Sequence, residues 1–390
     1  MRAVRVIGLM SGTSADGIDA ALVEWPSGPS PRPFRLLAFR ETAFEPELQE
    51  RIHRLAAAAV PGSEALRELG RLDVLLGERF ADAAREVAAA AGVPLDDVDA
   101  IASHGQTVAH HPADRATLQI GDPSLIAERT GVTTVADFRA RDVAAGGEGA
   151  PLAPFFHYAA LGDRDEARVV LNLGGIANVT WIPRAARPED VLAFDVGPAN
   201  ALLDSVVQIL SGGAERFDRD GARARRGRPD AALLAKLLDD DFLRRAPPKS
   251  TGRERYGTRE AEALAAGWRA AGRDPDDLVS TLAAFTVEAV ARACRDFLGG
   301  GRVERLLVGG GGARNAALME GLARVLPGSA VEPMDAAGVP SAAAEAMAFS
   351  LLGRNALLGV PNHLPRCTGA ARAAVLGEIV PGRSGRIGRV

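Results

Sequence analysis

The sequence predicts an α/β fold with two similar domains, each built on a mixed sheet that begins with a hairpin and is flanked by helices. The chain of 390 residues is longer than one hydrophobic core usually organises. Strand-like and helix-like segments alternate along it. A strand, a glycine turn and a returning strand occur twice, in 4–25 and in 168–182. We therefore expect domain I in 1–140 together with 350–390, domain II in 141–349, and a cleft where the two domains face each other.

The composition is that of an ordinary globular protein, with 47% hydrophobic and 25% charged residues. It excludes collagen-like, disordered and disulfide-framework classes. Forty-six Lys and Arg residues against 50 Asp and Glu residues give a net charge of −4, which offers no electrostatic footprint for nucleic acid or for an anionic membrane. Cys294 and Cys367 form no CxxC pair, so a thiolate zinc site is not indicated. We expect no nucleic-acid partner and no membrane partner.

The first residues pass directly from a short strand into a glycine-rich turn. This leaves no room for an apolar targeting segment with a cleavage site. The chain also has no uninterrupted apolar stretch of about 18 residues, which a transmembrane helix requires. Two distant cysteines suit a reducing compartment. We therefore expect a cytoplasmic protein.

Short apolar or alternating runs indicate strands, and Gly or Pro breaks separate them from helical segments. In the first domain the predicted strands are 4–10, 17–25, 34–39, 99–103, 118–120 and 133–136, with helical segments at 46–91 and 123–130. In the second domain the predicted strands are 168–173, 179–182, 191–195 and 305–308, with helices from 197, at 278–298 and from 314.

The turn at 11–17, between the first two strands, is rich in glycine and in hydroxyl side chains. Glycines let backbone N–H groups point inward, and such a concavity suits phosphate oxygens. The carboxylate of Asp16 suits hydrated Mg²⁺ there, because magnesium keeps most of its waters and takes few protein ligands. The same composition is equally typical of a plain hairpin loop, so the turn by itself leaves both interpretations open.

A second glycine-rich segment, Gly309 to Gly312, lies between a predicted strand and a helix. Four consecutive glycines let the backbone approach a flat or phosphorylated ligand closely. A glycine-rich connection between a strand and a helix is also common without any ligand. The chain contains neither the GxxxxGK[ST] nor the GxGxxG pattern, which argues against the two nucleotide-binding folds that carry them.

Asp195 is predicted to stand at the end of a buried strand. Ligands of open α/β sheets bind outside the carboxyl ends of the strands, and a general base is needed at that place. The alternative is an aspartate that caps the helix predicted to follow it.

Further polar residues follow other predicted strands. His104 and Gln106 in SHGQT are assigned to hydrogen bonding with a substrate, although a histidine in such a place is more often structural. Asp137 and Arg139 form a smaller charged group. The basic segment 249–256 is either an anion site or a solvated charged loop, and the solvated loop is the simpler interpretation.

Taken together, these segments resemble the anhydro-N-acetylmuramic acid kinases, a family in the superfamily of sugar kinases, Hsp70 and actin. The resemblance covers nearly the whole chain. Its motifs, as they stand here, are GLMSGTSADGIDAAL, SHGQT, QIGDPSLIAERTG, VADFRARDVAAGGEGAPLAPFFH, LNLGGIAN, FDVGPAN, FDRDG, PKSTGRERY, VGGGGARN and GVPSAAAEAMAF. Glycine turns alone would indicate a generic sugar kinase, whereas the long DFRARD and PKSTGRERY passages narrow the match to this family.

The resemblance implies ATP-dependent conversion of 1,6-anhydro-N-acetylmuramic acid to N-acetylmuramic acid 6-phosphate, a step of peptidoglycan recycling. In such kinases an aspartate activates water to attack the anomeric carbon, and the freed 6-oxygen takes the γ-phosphoryl group of MgATP. The matching motif places Asp195 in that role. The residues agree with this, since phosphoryl transfer mostly requires positioning, charge neutralisation and one base. The resemblance also implies a homodimer.

The resemblance further implies the residues of the site. The β- and γ-phosphates are expected at Ser11, Gly12, Thr13, Ser14, Ala15, Asp16, Gly17 and Ile18, with Asp16 beside Mg²⁺. From the second domain, phosphates are expected at Gly174, Gly175 and Asn178, and the adenosine side at Gly310, Gly311, Gly312 and Asn315. Contacts to the sugar, or support of the base, are expected from His104, Gln106, Asp137, Arg139 and Glu345.

Two other functions stay open at this point. A hexokinase-type kinase would act on a free amino sugar, with Asp195 deprotonating the acceptor hydroxyl directly. A non-catalytic ATP-dependent switch of the same superfamily would keep a nucleotide site and need no sugar pocket. The switch would leave the SHGQT and DFRARD segments without a purpose.

Overall fold

The computed structural model describes residues 2–252, 255–298 and 302–383. Two residues of the PKSTGRERY motif, Arg253 and Glu254, lie outside the described residues. The chain forms two compact units, unit 1 with Met1–Ala160 and Ala343–Val390, and unit 2 with Leu161–Ala342. The predicted domain boundaries, after residues 140 and 349, differ from those of the units. The reason is that the helices at 153–161 and 344–358 lie almost wholly in unit 1.

The strands are β1 (Val4–Ser11), β2 (Gly17–Trp25), β3 (Arg35–Ala43), β4 (Ala100–His111), β5 (Ala116–Ile120), β6 (Thr134–Ala136), β7 (Arg168–Leu173), β8 (Ile176–Ile182), β9 (Leu192–Pro198), β10 (Arg305–Gly309), β11 (Ala330–Pro333) and β12 (Glu378–Val380).

The helices are α1 (Pro46–Ala56), α2 (Gly62–Ala90), α3 (Pro123–Thr130), α4 (Phe138–Ala144), α5 (Ala153–Leu161), α6 (Asn200–Leu210), α7 (Ala222–Arg226), α8 (Ala231–Leu238), α9 (Asp241–Arg244), α10 (Thr258–Ala270), α11 (Pro275–Phe297), α12 (Ala316–Val325), α13 (Ala344–Leu358) and α14 (Pro365–Thr368). Among the described residues, no helix has both the length and the apolar character needed to span a membrane.

The two units contain the same strand arrangement. The sheet of unit 1 includes the order β3-β2-β1-β4-β6, and the sheet of unit 2 has the order β9-β8-β7-β10-β11. In each unit the first three strands form an antiparallel meander, and the next two strands run parallel to the first. Unit 1 adds β5 beside β4 and β12 beside β6. The predicted fold class, α/β with two similar mixed-sheet domains, is confirmed.

Two strands run further than the sequence predicts. β4 continues to His111 because Gly105, with φ +71°, lets the chain turn locally and β5 then pairs with the second half of the strand. β9 continues to Pro198 because its last residues pair with the start of β8. Two expectations are therefore wrong, that the polar residues of SHGQT lie just past a strand and that Asp195 ends one, since both segments lie within paired strands.

The core of unit 1 brings α13 directly onto the sheet. The helix is buried on nearly all sides, and its buried residues include the polar Ser350, Arg354 and Asn355. Its Ser350 hydroxyl donates to the carbonyl oxygen of Val6 at 2.9 Å and accepts from Trp25 Nε1 at 2.9 Å. Gly8 makes the approach possible, because a Cβ there would lie 1.8 Å from the Ala346 carbonyl oxygen. The helix thus fixes the middle of β1, three residues before the glycine-rich turn.

The core of unit 2 is built around α11. This helix buries most of its length against β9, α6, α8 and α12. The helix predicted to begin at 314 begins two residues later, because Asn315 caps α12. Its Oδ1 accepts the backbone N–H groups of Ala317 and Leu318 at 3.0 and 3.3 Å.

Gly8→Ala is expected to destabilise the protein by about 3 kcal/mol or more, because overpacking of this severity forces α13 away from the sheet. The added Cβ would also lie 2.6 Å from the backbone nitrogen of Ser350. Urea unfolding followed by circular dichroism measures the change. The matched control is Gly70→Ala on α2, where a Cβ meets nothing within 4 Å. That change is expected to gain up to about 1 kcal/mol from helix propensity. Equal stability of the two variants would contradict the packing account.

Candidate active site

The glycine-rich turn of unit 1, between β1 and β2, is closed from inside by two buried side chains. The Ser11 hydroxyl donates to Gln106 Oε1 at 2.6 Å and lies 2.7 Å from the carbonyl oxygen of Gly17. Gln106 Nε2 in turn donates to the carbonyl oxygen of Gly12 at 3.0 Å. Two residues predicted for different roles, Ser11 and Gln106, thus come together. Their polar groups brace the turn, Ser11 from the end of β1 and Gln106 from β4.

Helix α1 holds the same turn from the other side. The carbonyl oxygen of Ser14 accepts from Gln49 Nε2 at 3.0 Å and lies 2.9 Å from His53 Nε2, which donates when it carries the ring hydrogen. The next residue, Ala15, is fully buried in the left-handed conformation at φ +49°, and its N–H donates to the Gly12 carbonyl oxygen at 3.0 Å. The backbone of the turn therefore has a defined shape. Thr13, Ser14 and Asp16 remain exposed on it.

A group of carboxylates lies beside the turn. Asp16 accepts from the hydroxyl of Ser14 at 2.9 Å. Asp19, three residues later on β2, pairs across the sheet with Glu41. Burial raises the pKa of Asp19 to about 7, and neighbouring carboxylates, that of Glu41 foremost, add to the effect. The turn therefore borders an excess of negative charge.

Glu345, in the first turn of α13, belongs to the same electrostatic neighbourhood. Burial raises its pKa, the positive charge of Arg139 opposes that shift, and the negative charge of Asp16 adds to it. Solvent still reaches the side chain. In the part of the chain that the structure describes, no three His, Cys, Asp or Glu side chains are grouped as metal ligands.

His104 and Arg139 form a hydrogen-bonded pair. The ring nitrogen Nε2 accepts from Arg139 Nε at 2.9 Å, and Nδ1 lies 2.8 Å from the carbonyl oxygen of Gly105, so the ring hydrogen is on Nδ1. Burial, together with the charge of Arg139, lowers the pKa of His104 to about 3. The ring also packs on Phe349 with centroids 4.8 Å apart. His104 is therefore neutral near pH 7, and its polar atoms are used to hold Arg139.

Arg139 has a second support behind it. Its Nη1 donates to the carbonyl oxygen of Gly149 at 2.8 Å. The N–H of Gly149 donates to the buried carboxylate of Asp142 at 2.8 Å, and Asp142 also accepts from Thr368 Oγ1 at 2.8 Å. Asp137 stands apart from this arrangement. Burial raises its pKa, and its charged neighbours are Glu378 and Asp73 rather than the other predicted site residues.

The second glycine turn, Gly174 and Gly175 in unit 2, is fixed by the start of α6. The backbone N–H groups of Asn200 and Ala201 donate to the carbonyl oxygens of Gly174 and Gly175 at 3.1 and 3.0 Å. The side-chain amide of Asn200 donates to the Leu173 carbonyl oxygen at 2.8 Å. A helix N-terminus thus braces this turn, where side chains brace the turn of unit 1.

The glycine run lies against the end of β7. Gly310 has φ +75°, and a Cβ there would lie 2.4 Å from Oδ1 of Asn172. A Cβ on Gly312 would lie 2.5 Å from that of Leu173. Both positions therefore require glycine. Asn315, predicted for the adenosine side, has its side-chain oxygen committed to the cap of α12.

Strand register places three polar residues side by side on unit 2. Asn172 pairs with Asn178, and Asn178 pairs with Asp195. Directly paired residues of neighbouring strands share one face of a sheet. The register shifts between Ala177 and Asn178, which leaves Val196 as an extra residue on β9. Such a bulge re-aims the neighbouring side chain, and bulges are frequent next to active sites.

The carboxylate of Asp195 is held by residues more than 50 positions away. Its Oδ2 accepts from Ser250 Oγ at 2.8 Å and from the N–H of Thr251 at 2.9 Å. The N-cap residue of α6 is Ala199, so Asp195 does not cap that helix. Hydrogen bonds donated to a carboxylate favour its ionised form. Asp195 is half-buried, and a carboxylate in this setting is suited to accept a proton when it is ionised.

Residues 4–382 match the family model described as anhydro-N-acetylmuramic acid kinase. The chain belongs to the anhydro-N-acetylmuramic acid kinase family. A relative of that name from Xanthomonas campestris pv. campestris (strain 8004) is 51% identical, with 96% of this chain and 97% of the relative covered. Relatives of the same name from Streptomyces coelicolor and Caldanaerobacter subterraneus subsp. tengcongensis are 45% and 41% identical. The match to the Streptomyces coelicolor relative covers 97% of this chain and 94% of the relative. The match to the Caldanaerobacter relative covers 96% of each chain.

Among solved structures, the activator of the 2-hydroxyisocaproyl-CoA dehydratase from Clostridium difficile covers 89% of this chain, and 94% of its own chain is covered. The TM-score is 0.42 at 13% identity, a likeness too low to bear on function. For this member of the anhydro-N-acetylmuramic acid kinase family, the predicted family and the predicted enzyme class, a kinase, are confirmed.

Sequence reasoning missed four residues that lie at these sites: Asp19, Asn172, Ser250 and Thr251. Asn172 was visible as part of LNLGGIAN, and only the register of β7 and β8 shows that it stands beside Asn178. The sequence could have indicated Asp19, because this carboxylate lies on a mostly apolar strand, three residues after Asp16.

His104 is expected to remain neutral down to about pH 4, since its pKa in the folded protein is about 3. In the unfolded chain a histidine titrates at about 6.5. Between these values only the unfolded state takes up the proton, so His104 lowers the free energy of unfolding as the pH falls below 6.5. Histidine ring NMR signals between pH 8 and 4.5 measure the titration, with His104→Gln to assign the signal. The same variant should lose less stability than the wild type between pH 7.5 and 5. A His104 signal that titrates near pH 6.5 would contradict this environment.

Proposed function

We propose that this chain is an ATP-dependent kinase that opens the 1,6-anhydro bridge of 1,6-anhydro-N-acetylmuramic acid and phosphorylates O6. The product is N-acetylmuramic acid 6-phosphate, and the reaction is a step of peptidoglycan recycling. The family and the relatives, which carry the name of this substrate, support the proposal. The observation that carries the chemistry is the carboxylate of Asp195, aligned with Asn178 and bonded by Ser250 and Thr251.

Asp195 is proposed as the base. It removes a proton from water, the water oxygen bonds to the anomeric carbon, and the bond between that carbon and O6 breaks. O6 then bonds to the γ-phosphorus as the bond to the ADP oxygen breaks. A base for this purpose must be ionised before the reaction, and the two donors on Oδ2 favour that form.

The phosphates of ATP are proposed to bind the two glycine turns. The residues 11–18 of unit 1 supply backbone N–H groups and the exposed hydroxyls of Thr13 and Ser14. Ser11 keeps the turn closed from inside. Gly174, Gly175 and Asn178 are proposed to meet phosphates from unit 2. The adenosine side is proposed at Gly310, Gly311 and Gly312, with Asn315 fixing the start of the following helix.

The residues near the first turn fit Mg²⁺. Asp16 is exposed, and burial together with like charges disfavours ionisation of Asp19 and Glu345 in the absence of a cation. Magnesium usually takes one or two protein carboxylates and keeps several waters, so Asp16 is a sufficient protein ligand. When bound, the ion would neutralise charge on the phosphates.

Sugar contacts are proposed for Arg139, Glu345, His104, Gln106 and Asp137. The contacts of these residues suggest a different role for each of three of them, Arg139, His104 and Gln106. Arg139 carries the positive charge, and His104 orients it without exchanging protons itself. Gln106 acts through the turn that it braces. The cytoplasmic location and the homodimer, both implied by the family resemblance, stay predictions.

Asp195→Asn is expected to bind ATP normally and to lose about a hundred- to ten-thousand-fold in turnover, because the amide cannot accept the proton from water. Calorimetry with a non-hydrolysable ATP analogue and a coupled assay of ADP release measure the two properties. Asp239→Asn, at an exposed aspartate of unit 2, is the matched control and should keep wild-type turnover. Near-normal turnover of Asp195→Asn would overturn the role of the base.

Turnover of the anhydro sugar in ¹⁸O-labelled water is expected to place one label on the anomeric hydroxyl and none in the phosphate. This follows because water attacks the anomeric carbon and O6 comes from the bridge. Mass spectrometry of the product reads the position, and incubation of unlabelled product alone corrects for spontaneous exchange. Turnover on free N-acetylmuramic acid without label would instead support the hexokinase-type kinase. Absence of both sugar binding and sugar-stimulated ATP consumption would support the non-catalytic switch.

A further inference from the structure

Lys249 occupies an unusual environment in unit 2. Only two of the 46 Lys and Arg residues are lysines, Lys236 and Lys249. The Nζ atom of Lys249 lies 4.7 Å from the ring centroid of Phe242, 4.8 Å from that of Phe297 and 5.7 Å from that of Phe194. The same atom donates to the carbonyl oxygens of Phe242 and Leu243 at 3.1 and 3.3 Å. A compact ammonium suits such a cage of rings and carbonyls better than a planar guanidinium does.

Two cations of the basic segment 249–256, Lys249 and Arg255, lie among the described residues, and both have contacts within unit 2. The charge of Lys249 is directed at rings and carbonyl oxygens. Arg255 is paired with Asp240 and Asp241. Both cations are therefore engaged by groups of unit 2, and the interpretation of the whole segment stays a prediction because Arg253 lies outside the described residues. Burial lowers the pKa of Lys249 to about 8, with nearby carboxylates opposing the shift, so the group is still charged at neutral pH.

Lys249 and the two residues after it are hydrogen-bonded to Asp195. The carbonyl oxygen of Lys249 accepts the backbone N–H of Asp195 at 3.1 Å. The next two residues, Ser250 and Thr251, donate to Oδ2 of the same aspartate. We propose that Lys249, Ser250 and Thr251 form an anchor that orients the carboxylate of Asp195 and keeps it ionised. This inference rests on the proposed function, in which Asp195 is the base.

The two hydrogen bonds to Oδ2 of Asp195 fix the orientation of its carboxylate as well as the position of the loop. Two donors on one oxygen prevent the carboxylate from rotating, so the direction of its other oxygen is defined as well. Both donors favour the charged form. Ser250 is itself exposed, so its hydroxyl contributes little to the core of unit 2. The residues of the anchor are positioning residues, and their loss should act on turnover and on its pH dependence rather than on nucleotide binding.

The first test is Ser250→Ala. We expect kcat to fall about tenfold and the acid limb of the kcat profile to move up by about one pH unit, because one hydrogen bond to the charged form is lost. The affinity for the ATP analogue should not change. Among the described residues, the charged groups that act on Lys249 besides Asp195 are Asp240, Arg245 and Asp296, and this substitution leaves them in place.

Two matched variants accompany that test. Ser250→Thr keeps a hydroxyl and should restore the wild-type profile. Ser205→Ala removes a hydroxyl that donates only within α6, to the Ala201 carbonyl oxygen, and should leave kcat and its profile unchanged. In the background of Asp195→Asn, Ser250→Ala should cause no further loss, since both act through one group.

The second test is Lys249→Met, which keeps the length of the side chain among the rings and removes the ammonium. We expect kcat to fall at least tenfold, the loss of a charge-assisted interaction, with unchanged nucleotide affinity. Lys236→Met on α8, at the exposed lysine, is the control and should behave as the wild type. If Lys249→Met fails to fold, Ser250→Ala still decides the proposal, because it changes an exposed residue.

The wild-type assay separates the two possible failures. If the wild type turns over the anhydro sugar, and both variants keep its kcat and its pH profile, the anchor is wrong and the proposed function stands. If the wild type shows no turnover, the proposed function fails, and hydrogen exchange at the Thr251 amide tests the anchor without a substrate. Exchange should be faster in Lys249→Met and in Asp195→Ala than in the wild type. Unchanged exchange would overturn the anchor.

Discussion

Backbone pairing in the first hairpin of each unit is the constraint on which the candidate sites depend. The antiparallel pairs β1–β2 and β7–β8 bring a glycine-rich turn to the end of each hairpin. A turn left to itself would be mobile, because glycine has the largest conformational freedom of any residue. Each turn is therefore braced from outside the hairpin. Side chains of β4 and α1 hold the first turn, and backbone donors at the start of α6 hold the second.

The braces differ although the strand order is the same, and this difference has a physical reason. A turn held by a helix N-terminus depends less on side chains, since backbone N–H groups supply most of the donors and the Asn200 amide adds one at Leu173. A turn held by side chains depends on residue type, because only groups such as the Ser11 hydroxyl and the Gln106 amide reach its carbonyls. The glycine turns look alike in the sequence, whereas their supports come from segments far away in the chain.

Whether a feature could be predicted from the sequence depends on how far apart in the chain its interacting residues lie. The hairpins, the helices 123–130 and 275–297, and the fold class follow from local periodicity and were predictable. The true ends of β4 and β9 depend on pairing with other strands, so local patterns placed them too early. The same holds for the site. Motifs identified Asp195, but its hydrogen bond with Ser250 joins residues 55 positions apart. The alignment of Asn172, Asn178 and Asp195 on one face of the sheet depends on strand register, which motifs do not show.

The charges and hydrogen bonds around His104 and Asp195 distinguish their chemical roles better than the sequence motifs do. His104 is the residue type most often used for proton transfer near pH 7, and a motif containing it invites that role. Burial beside a cation disfavours the role, because it lowers the pKa of His104 to about 3 and both ring nitrogens already have hydrogen-bond partners. Asp195 has the opposite setting, since donors stabilise its charge. In the proposed reaction the proton removed from water therefore goes to Asp195, while His104 holds Arg139.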